Sequence, residues 1–410
     1  MFRQILRQYQ NAYSGLSRPI WIQATIMLIN RSGTMVIPFL TVYLTSALHF
    51  TIPQAGIVLS VFGAGAILGV YLGGKLTDSI GFFPVQFWSL FSNGLLFLGL
   101  CYLRGFWTIC GCVFLLATIG ESFRPANAAA TAYYSKADNR TRSYSLNRLA
   151  VNLGFAVGPA VGGLLAGISY TWLFWTDGLT CIAAALALRW SLKPAEGKGP
   201  TKEKATDGPV QSPYRDKTFV RFVFYVWVFA LSFFQLFSVI PLYYQRNLHL
   251  TSSQIGLVLS MNGLIIALVE MVLVYRLENR RPDTVYIGYG ALLNASAFVV
   301  LGVCGPYGWV AVASMLLFTV GEMMSMPFMN AYWISRSTPQ SRGQYAAFYG
   351  MAFSAAQVVG PSLGAQIAGL WGFQWLWGIL VGVGILNFWG FRRLGWRPQK
   401  AAPDRAAAAR

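Results

Sequence analysis

Residues 48–60 read Leu-His-Phe-Thr-Ile-Pro-Gln-Ala-Gly-Ile-Val-Leu-Ser and residues 248–260 read Leu-His-Leu-Thr-Ser-Ser-Gln-Ile-Gly-Leu-Val-Leu-Ser, so that 8 of 13 positions agree at an offset of 200. Tyr43 and Tyr243, Gly63 and Gly263, and Leu68 and Leu268 extend the match. Further along, Gly120-Glu121 with Pro125 and Asn127 meets Gly321-Glu322 with Pro327 and Asn330, and Gly158-Pro159 meets Gly360-Pro361. The chain therefore reads as one unit used twice. The only two histidines, His49 and His249, are equivalent under the repeat. That favours a loop-to-helix role common to both halves over a unique catalytic histidine.

Composition identifies the solvent of each unit. Of 410 residues 55% are hydrophobic and 11% charged, whereas a soluble chain carries about 25% charged residues. A soluble enzyme, a disordered chain and a disulfide scaffold are excluded, and lipid is the expected surrounding. Cys101, Cys110, Cys112, Cys181 and Cys304 all lie in apolar runs and read as packing residues; no metal site is expected. The polar, basic start from Met1 to Arg18 gives no expectation of a cleaved leader.

At about 20 residues per crossing, twelve spans are expected, near 20–45, 53–74, 84–103, 106–134, 144–168 and 171–190, then 218–245, 252–275, 284–304, 308–334, 344–369 and 372–391. The net charge of +18 could suggest a nucleic-acid partner, but 26 of the 31 basic residues fall in gaps or tails on one side of the spans, with only Arg104 and Arg246 on the other. By the positive-inside rule both termini are expected in the cytoplasm, and no nucleic acid is expected as a partner. Residues 1–190 and 218–410 form two six-helix bundles; the polar stretch 191–217 reads as a cytoplasmic linker.

A parallel repeat of six and six spans suits a transporter whose halves rock about a midplane site. Here the chain resembles the major facilitator superfamily over essentially its whole length. The resemblance implies an all-α membrane protein of twelve transmembrane helices in two pseudo-symmetric bundles. The loop after span 2 carries Gly74-x-x-x-Asp78-x-x-Gly81, similar to the superfamily's cytoplasmic loop motif, but with Ser79 and Phe82-Phe83 at positions usually basic. Asp78 is expected to accept hydrogen bonds from the start of a neighbouring helix, and Glu278 is the shifted counterpart. Span 5 carries Gly154-x-x-x-Gly158-Pro159-x-x-Gly162-Gly163, similar to the antiporter motif of proton-coupled drug exporters. Its glycines permit close helix approach, and its proline bends the helix. The span 4 arginine of that branch is absent. The acidic span 1 signature of proton-linked peptide transporters is absent too, and only Arg31 of Asn30-Arg31-Ser32-Gly33 is similar to it.

Away from the span ends, seven charged residues fall within expected spans: Arg31, Glu121, Arg124, Arg148, Asp177, Glu270 and Glu322. Each costs about 2.5–3.5 kcal/mol at the centre of a lipid-facing helix, so a bundle interior or a polar cavity is their expected place. Arg31 is expected to pair with Glu121 across the cavity, with Arg124 competing one turn away. The surplus positive charge could hold an anionic substrate group. Glu322, with no basic residue of its own half at matching depth, is the first proton-carrier candidate and Glu121 the second. The alternative for Glu322 is a hydrogen bond to Asn330 or Gln235. Asn30, Asn127, Gln235 and Asn330 are candidate polar contacts to substrate. Glu270 is expected to snorkel or pair with Arg276, and Arg148 to reach the interface. Phe222, Phe229, Phe233 and Phe237 form one stripe on span 7, expected to face lipid or a neighbouring helix, or else a greasy pocket.

No Gly-x-x-x-x-Gly-Lys-Ser/Thr loop and no nucleophile-base pair is present, so an enzyme or ATP-driven pump is not expected. The expectation is a proton-coupled antiporter, without bound cofactor, acting as a monomer in a bacterial-type inner membrane. It would export amphipathic small molecules by alternating access. Alternatives are a proton-coupled symporter for an anionic nutrient or peptide and, of another class, a lipid flippase or non-transporting sensor.

Overall fold

The computed structural model describes residues 15–135, 140–192, 212–277, 280–337 and 341–394. Among them all regular structure is helical, in twelve rods. Spans 1 to 6 are Arg18–Ser32 continued by Val36–Ser46, then Ile52–Ile80, Phe82–Leu100, Phe106–Tyr134, Arg140–Ile168 and Tyr170–Ser191. Spans 7 to 12 begin with Lys217–Phe233 and Val239–Arg246 joined by a 3-10 turn, Phe234–Phe237. They continue with Ser252–Leu277, Asp283–Val303, Gly308–Arg336, Arg342–Leu370 and Phe373–Arg393. Eleven are long and apolar enough to cross a membrane; in the other, span 11, Gln344, Gln357 and Gln366 dilute the apolar run. Exposed Tyr102, Trp107, Tyr307, Trp309, Trp371 and Trp375 ring one end, and Trp21, Trp190, Tyr214 and Trp389 the other, as aromatic belts do. The end holding residues 15 and 394 is the basic end; the opposite one is the far end.

The repeat noticed in sequence is a backbone device. After the first part of each half, Leu48 N–H and Leu248 N–H donate to the Tyr43 and Tyr243 carbonyls, both at 3.3 Å, and the chain turns through His49 at φ 57° and His249 at φ 53°. Thr51 and Gln54, and likewise Thr251 and Gln254, then close reciprocal capping boxes, with Thr N–H to Gln Oε1 at 2.9 Å in both. Both histidines are exposed turn residues.

Two expectations are corrected here. Span 2 runs on to Ile80, so Gly74 and Asp78 lie on a helix, and only Gly81, at φ +88°, makes the turn into span 3. Gly73, not Gly74, is the packing glycine: a Cβ there would stand 2.5 Å from Ser122 Cα, while nothing lies within 4 Å of Gly74. Asp78 is exposed and takes no hydrogen bond among the described residues. Glu278 and linker residues 193–211 lie outside the described residues. The span 7 stripe is core: Phe222 and Phe229 are buried, with Phe222 against Tyr332, Tyr349 and Phe391.

The hydrophobic packing shows where the molecule opens. At the far end one cluster joins both halves, from Phe39, Tyr43 and Val58 to Tyr243, Phe298 and Trp377. At the basic end there are two clusters, one drawn only from the first half, around Phe82 and Phe123, and one only from the second, around Phe222 and Phe328. The halves thus share a core at the far end and separate toward the basic end, leaving a central cavity between them.

Two antiparallel seams carry the closed end. On spans 5 and 8, Gly163 meets Gly256, then Ala156 meets Gly263, and Arg148 pairs with Glu270, steps of seven or eight residues that keep one helix face in register. On spans 2 and 11, Gly56 meets Ala365 and Gly63 meets Gln357. The next step would join Val70 to Gly350, but Val70 is exposed and nothing lies within 4 Å of Gly350. A Cβ at Gly256 would stand 2.2 Å from the Pro159 carbonyl oxygen. Gly256→Val is therefore expected to cost roughly 1–3 kcal/mol in the far-end-closed state, a population shift of about 5- to 150-fold. Labelling of a far-end cysteine by a membrane-impermeant maleimide should rise accordingly.

Candidate functional site

Span 1 is broken just where its charge sits. Helix Arg18–Ser32 stops at Gly33, and a new helix starts at Val36. The orphan N–H groups of that second helix are taken by a carboxylate from span 6: Asp177 accepts from Met35 N–H at 2.9 and 3.1 Å and from Val36 N–H at 2.8 Å. Asp177 is fully buried, and its charge is balanced by the positive end of the helix it caps. The span 5 glycines shape the other side of the break. A Cβ at Gly154 would lie 2.4 Å from Arg31 Cβ; at Gly158, 3.3 Å from the Arg31, Ser32 and Thr34 carbonyl oxygens; at Gly162, 2.9 Å from Met35 Cβ. The Gly154, Gly158 and Gly162 face of the motif therefore seats span 1, while Gly163 and the Pro159 carbonyl face the second half.

Held this way, Arg31 projects its guanidinium over the Phe155 ring, 5.8 Å from the centroid, with a buried Nε that has no partner. The expected Arg31–Glu121 ion pair is not formed. Glu121 pairs instead with Arg124 at 2.9 Å, because residues three apart on one helix are already adjacent, while Arg31 stays within electrostatic range of both. Arg124 is 64% exposed well inside its span.

The second half builds a different wall. Glu322, on span 10, accepts a hydrogen bond from Asn262 Nδ2 of span 8 at 3.1 Å; the same amide also reaches Thr319 Oγ1 at 3.0 Å. Its partner is thus neither Asn330 nor Gln235. Glu322 has no ion pair among the described residues, and Arg148 of the first half lies within its electrostatic range. Arg148 itself, half-exposed, pairs with Glu270, so neither residue behaves as expected: Arg148 does not run to the interface, and Glu270 does not take Arg276. Met326 and Trp333 follow Glu322 at intervals of 4 and 7 on the same helical face. Trp333 stands 6.2 Å from Tyr349, which stands 5.3 Å from Phe353, so an aromatic wall leads from the basic end toward Glu322.

The amide candidates divide. Asn30 is half-buried beside Cys181, its Nδ2 3.7 Å from Sγ, next to Arg31. Asn330 is exposed and accepts from Trp333 Nε1 at 3.1 Å. Asn127 is corrected: it is buried inside the first half, accepting from Gln86 Nε2 at 3.4 Å, and Gln86 in turn pairs with Gln23. Gln235 is corrected as well. It is buried at the break in span 7, where Nε2 donates to the Leu231 and Gly360 carbonyls, both at 2.9 Å. A Cβ at Gly364 would stand 2.0 Å from its Oε1, so the Gly360-Pro361-x-x-Gly364 segment seats span 7 as its counterpart seats span 1. Sequence reasoning missed Asn262; an amide inside the apolar run of span 8, at the position of Phe62 in the first repeat, was the available clue.

The Major Facilitator Superfamily model matches residues 20–352. The chain belongs to that superfamily. Among curated members it is 24% identical over 395 residues to the Na(+), Li(+), K(+)/H(+) antiporter of Planococcus maritimus, covering 88% of this chain and 91% of that protein. It is 21% identical to the class H tetracycline resistance protein of Pasteurella multocida, over 80% and 83% of the two chains. In fold, it superposes with a TM-score of 0.77 on a POT family transporter solved with a thioalcohol-conjugated peptide, at 15% identity and over 93% and 96% of the two chains. This superfamily member is therefore a multi-pass membrane transporter. Among the described residues its two walls differ in charge: Arg31, over the Phe155 ring and in no ion pair, on one, and Glu322, accepting from the Asn262 amide, on the other.

Proposed function

We propose that this transporter is a proton-coupled antiporter that exports amphipathic small molecules from the cytoplasm by alternating access. The basic end would face the cytoplasm, following the distribution of Lys and Arg. The observation that carries the reading is Glu322: a cavity carboxyl without an ion pair, held through one oxygen by the neutral Asn262, can gain and lose a proton without dismantling a salt bridge. Glu121, locked to Arg124 on its own helix, is the weaker candidate. Trp333, Tyr349 and Phe353 supply a flat apolar wall for the substrate body, and the printed names of two relatives, an antiporter and a tetracycline resistance protein, agree with this assignment.

A specific observation supports a second reading, a symporter importing an anionic nutrient or peptide: among the described residues Arg31 has no ion pair, and its Nε has no hydrogen-bond partner. Proton flow separates the two. On adding substrate to energised vesicles, an antiporter releases protons, a symporter takes them up, and a sensor does neither. In either case Arg31 is the anion contact. Arg31→Gln is expected to weaken binding of anionic substrates about 10- to 150-fold, the loss of a charged hydrogen bond of roughly 1.5–3 kcal/mol, and to leave neutral substrates unchanged. Titration calorimetry on the purified transporter measures both.

A further inference from the structure

The proton reading leaves unexplained how a charge on one helix changes which end of the molecule is open. Among the described residues a single ion pair crosses between the halves, Arg148 of span 5 with Glu270 of span 8. It occupies the third step of the span 5 and 8 seam, where the corresponding step of the span 2 and 11 seam, Val70 with Gly350, has come apart. One seam is therefore pinned toward the basic end by charge, and the other is open there.

We propose that Arg148 is the coupling residue of this transporter, a first-half cation shared between two second-half carboxylates, Glu270 and Glu322. The proposal rests on Glu322 as the proton carrier. Span 8 supplies both halves of the arrangement, since Asn262, the donor to Glu322, and Glu270, the partner of Arg148, lie eight residues apart and so on one face. Arg148 is half-exposed, and it interacts electrostatically with Glu322 as well as pairing with Glu270.

Charges on the other elements packed against span 5 face elsewhere. Of the elements packed on span 5, span 1 brings Arg31, which faces Phe155 two turns along. Span 6 brings Asp177, which caps the break in span 1. Span 4 brings Glu121 and Arg124, which hold each other.

When Glu322 carries a proton, Glu270 is the only anion facing Arg148, and the seam is pinned along its length. When Glu322 releases that proton to cavity water, two carboxylates share one guanidinium, the grip on Glu270 slackens, and the pinned seam is released to re-register as spans 2 and 11 close at the basic end. Arg148 is a positioning residue: it acts through the two carboxylates and needs no contact with substrate.

The test uses the full chain in lipid nanodiscs with its five native cysteines changed to alanine and a cysteine pair introduced by Val70→Cys and Gly350→Cys. The rate of cross-linking by a short bis-maleimide reports closure of the basic end. The parent should cross-link at different rates at acid and alkaline pH, and Glu322→Gln should hold the rate at its acid value. Arg148→Gln should abolish the pH dependence although Glu322 is intact. The swap Arg148→Glu with Glu270→Arg rebuilds a bridge between the halves; it should restore the melting temperature without restoring the pH dependence. Retention of the parental pH dependence in Arg148→Gln, or its return in the swap, overturns the coupling role and leaves the proton reading standing. A parent whose cross-linking ignores pH removes both.

Discussion

Glu322→Gln is expected to abolish proton-driven transport altogether while leaving energy-independent exchange of substrate across the membrane intact. The two outcomes separate because of the geometry around the residue. Glu322 receives one hydrogen bond, from Asn262 at 3.1 Å, through Oε2. A glutamine amide oxygen accepts the same bond from the same donor, so the wall of spans 8 and 10 keeps its packing and the cavity its shape. What glutamine cannot do is change charge. A carrier that still binds and rocks, but no longer exchanges a proton for substrate, equilibrates its substrate and cannot concentrate it. Reconstituted vesicles give both measurements, accumulation under an imposed pH gradient and counterflow without one. Undiminished accumulation in the variant would transfer the role to Glu121 or remove proton coupling through this wall. Loss of both activities would mark Glu322 as a substrate contact.

Asp177→Ala is expected to produce the largest loss of stability. The carboxylate satisfies the Val36 N–H, which has no other partner at the break in span 1, and accepts from Met35 N–H, which also reaches the Gly33 carbonyl at 2.9 Å. Leaving the buried Val36 donor unsatisfied costs about 1–3 kcal/mol, a large fraction of the whole stability of many domains. Water cannot replace it, since the site is fully buried. Asp177→Asn keeps one acceptor oxygen and should fall between. Thermal unfolding in detergent measures the order wild type, asparagine, alanine. Transport should fall with stability, because Arg31 stands at the end of the helix just before the capped one. A melting temperature for Asp177→Ala equal to wild type would mean that the break is held by the span 5 glycines alone.

Much of this was legible in the chain. The repeat at 48–60 and 248–260 proved to be a turn through a left-handed histidine followed by a capping box, both of which are local and carried by the residues themselves. The span 5 motif was readable as close packing for the same reason, since a glycine has one use at a helix surface in lipid. Neither helix break was anticipated. Span 1 reads as one crossing from 20 to 45 despite Arg31, and its interruption depends on an acceptor 142 residues away.

Sequence alone determined the twelve spans, their division into two related halves and the separation of basic residues to one end, because hydropathy, periodicity and charge act along the chain within one helix or loop. The pairing of charges was decided by tertiary structure. Arg124 took Glu121 because their spacing on one helix guarantees the contact, and this left Arg31 outside that pair, over the Phe155 ring. Arg148 reached Glu270 across 122 residues only because the glycines of spans 5 and 8 let the two helices close on each other. Which face a helix turns to its neighbour is fixed by side-chain packing between helices, and in lipid no difference in hydrophobicity between the faces records it in the sequence.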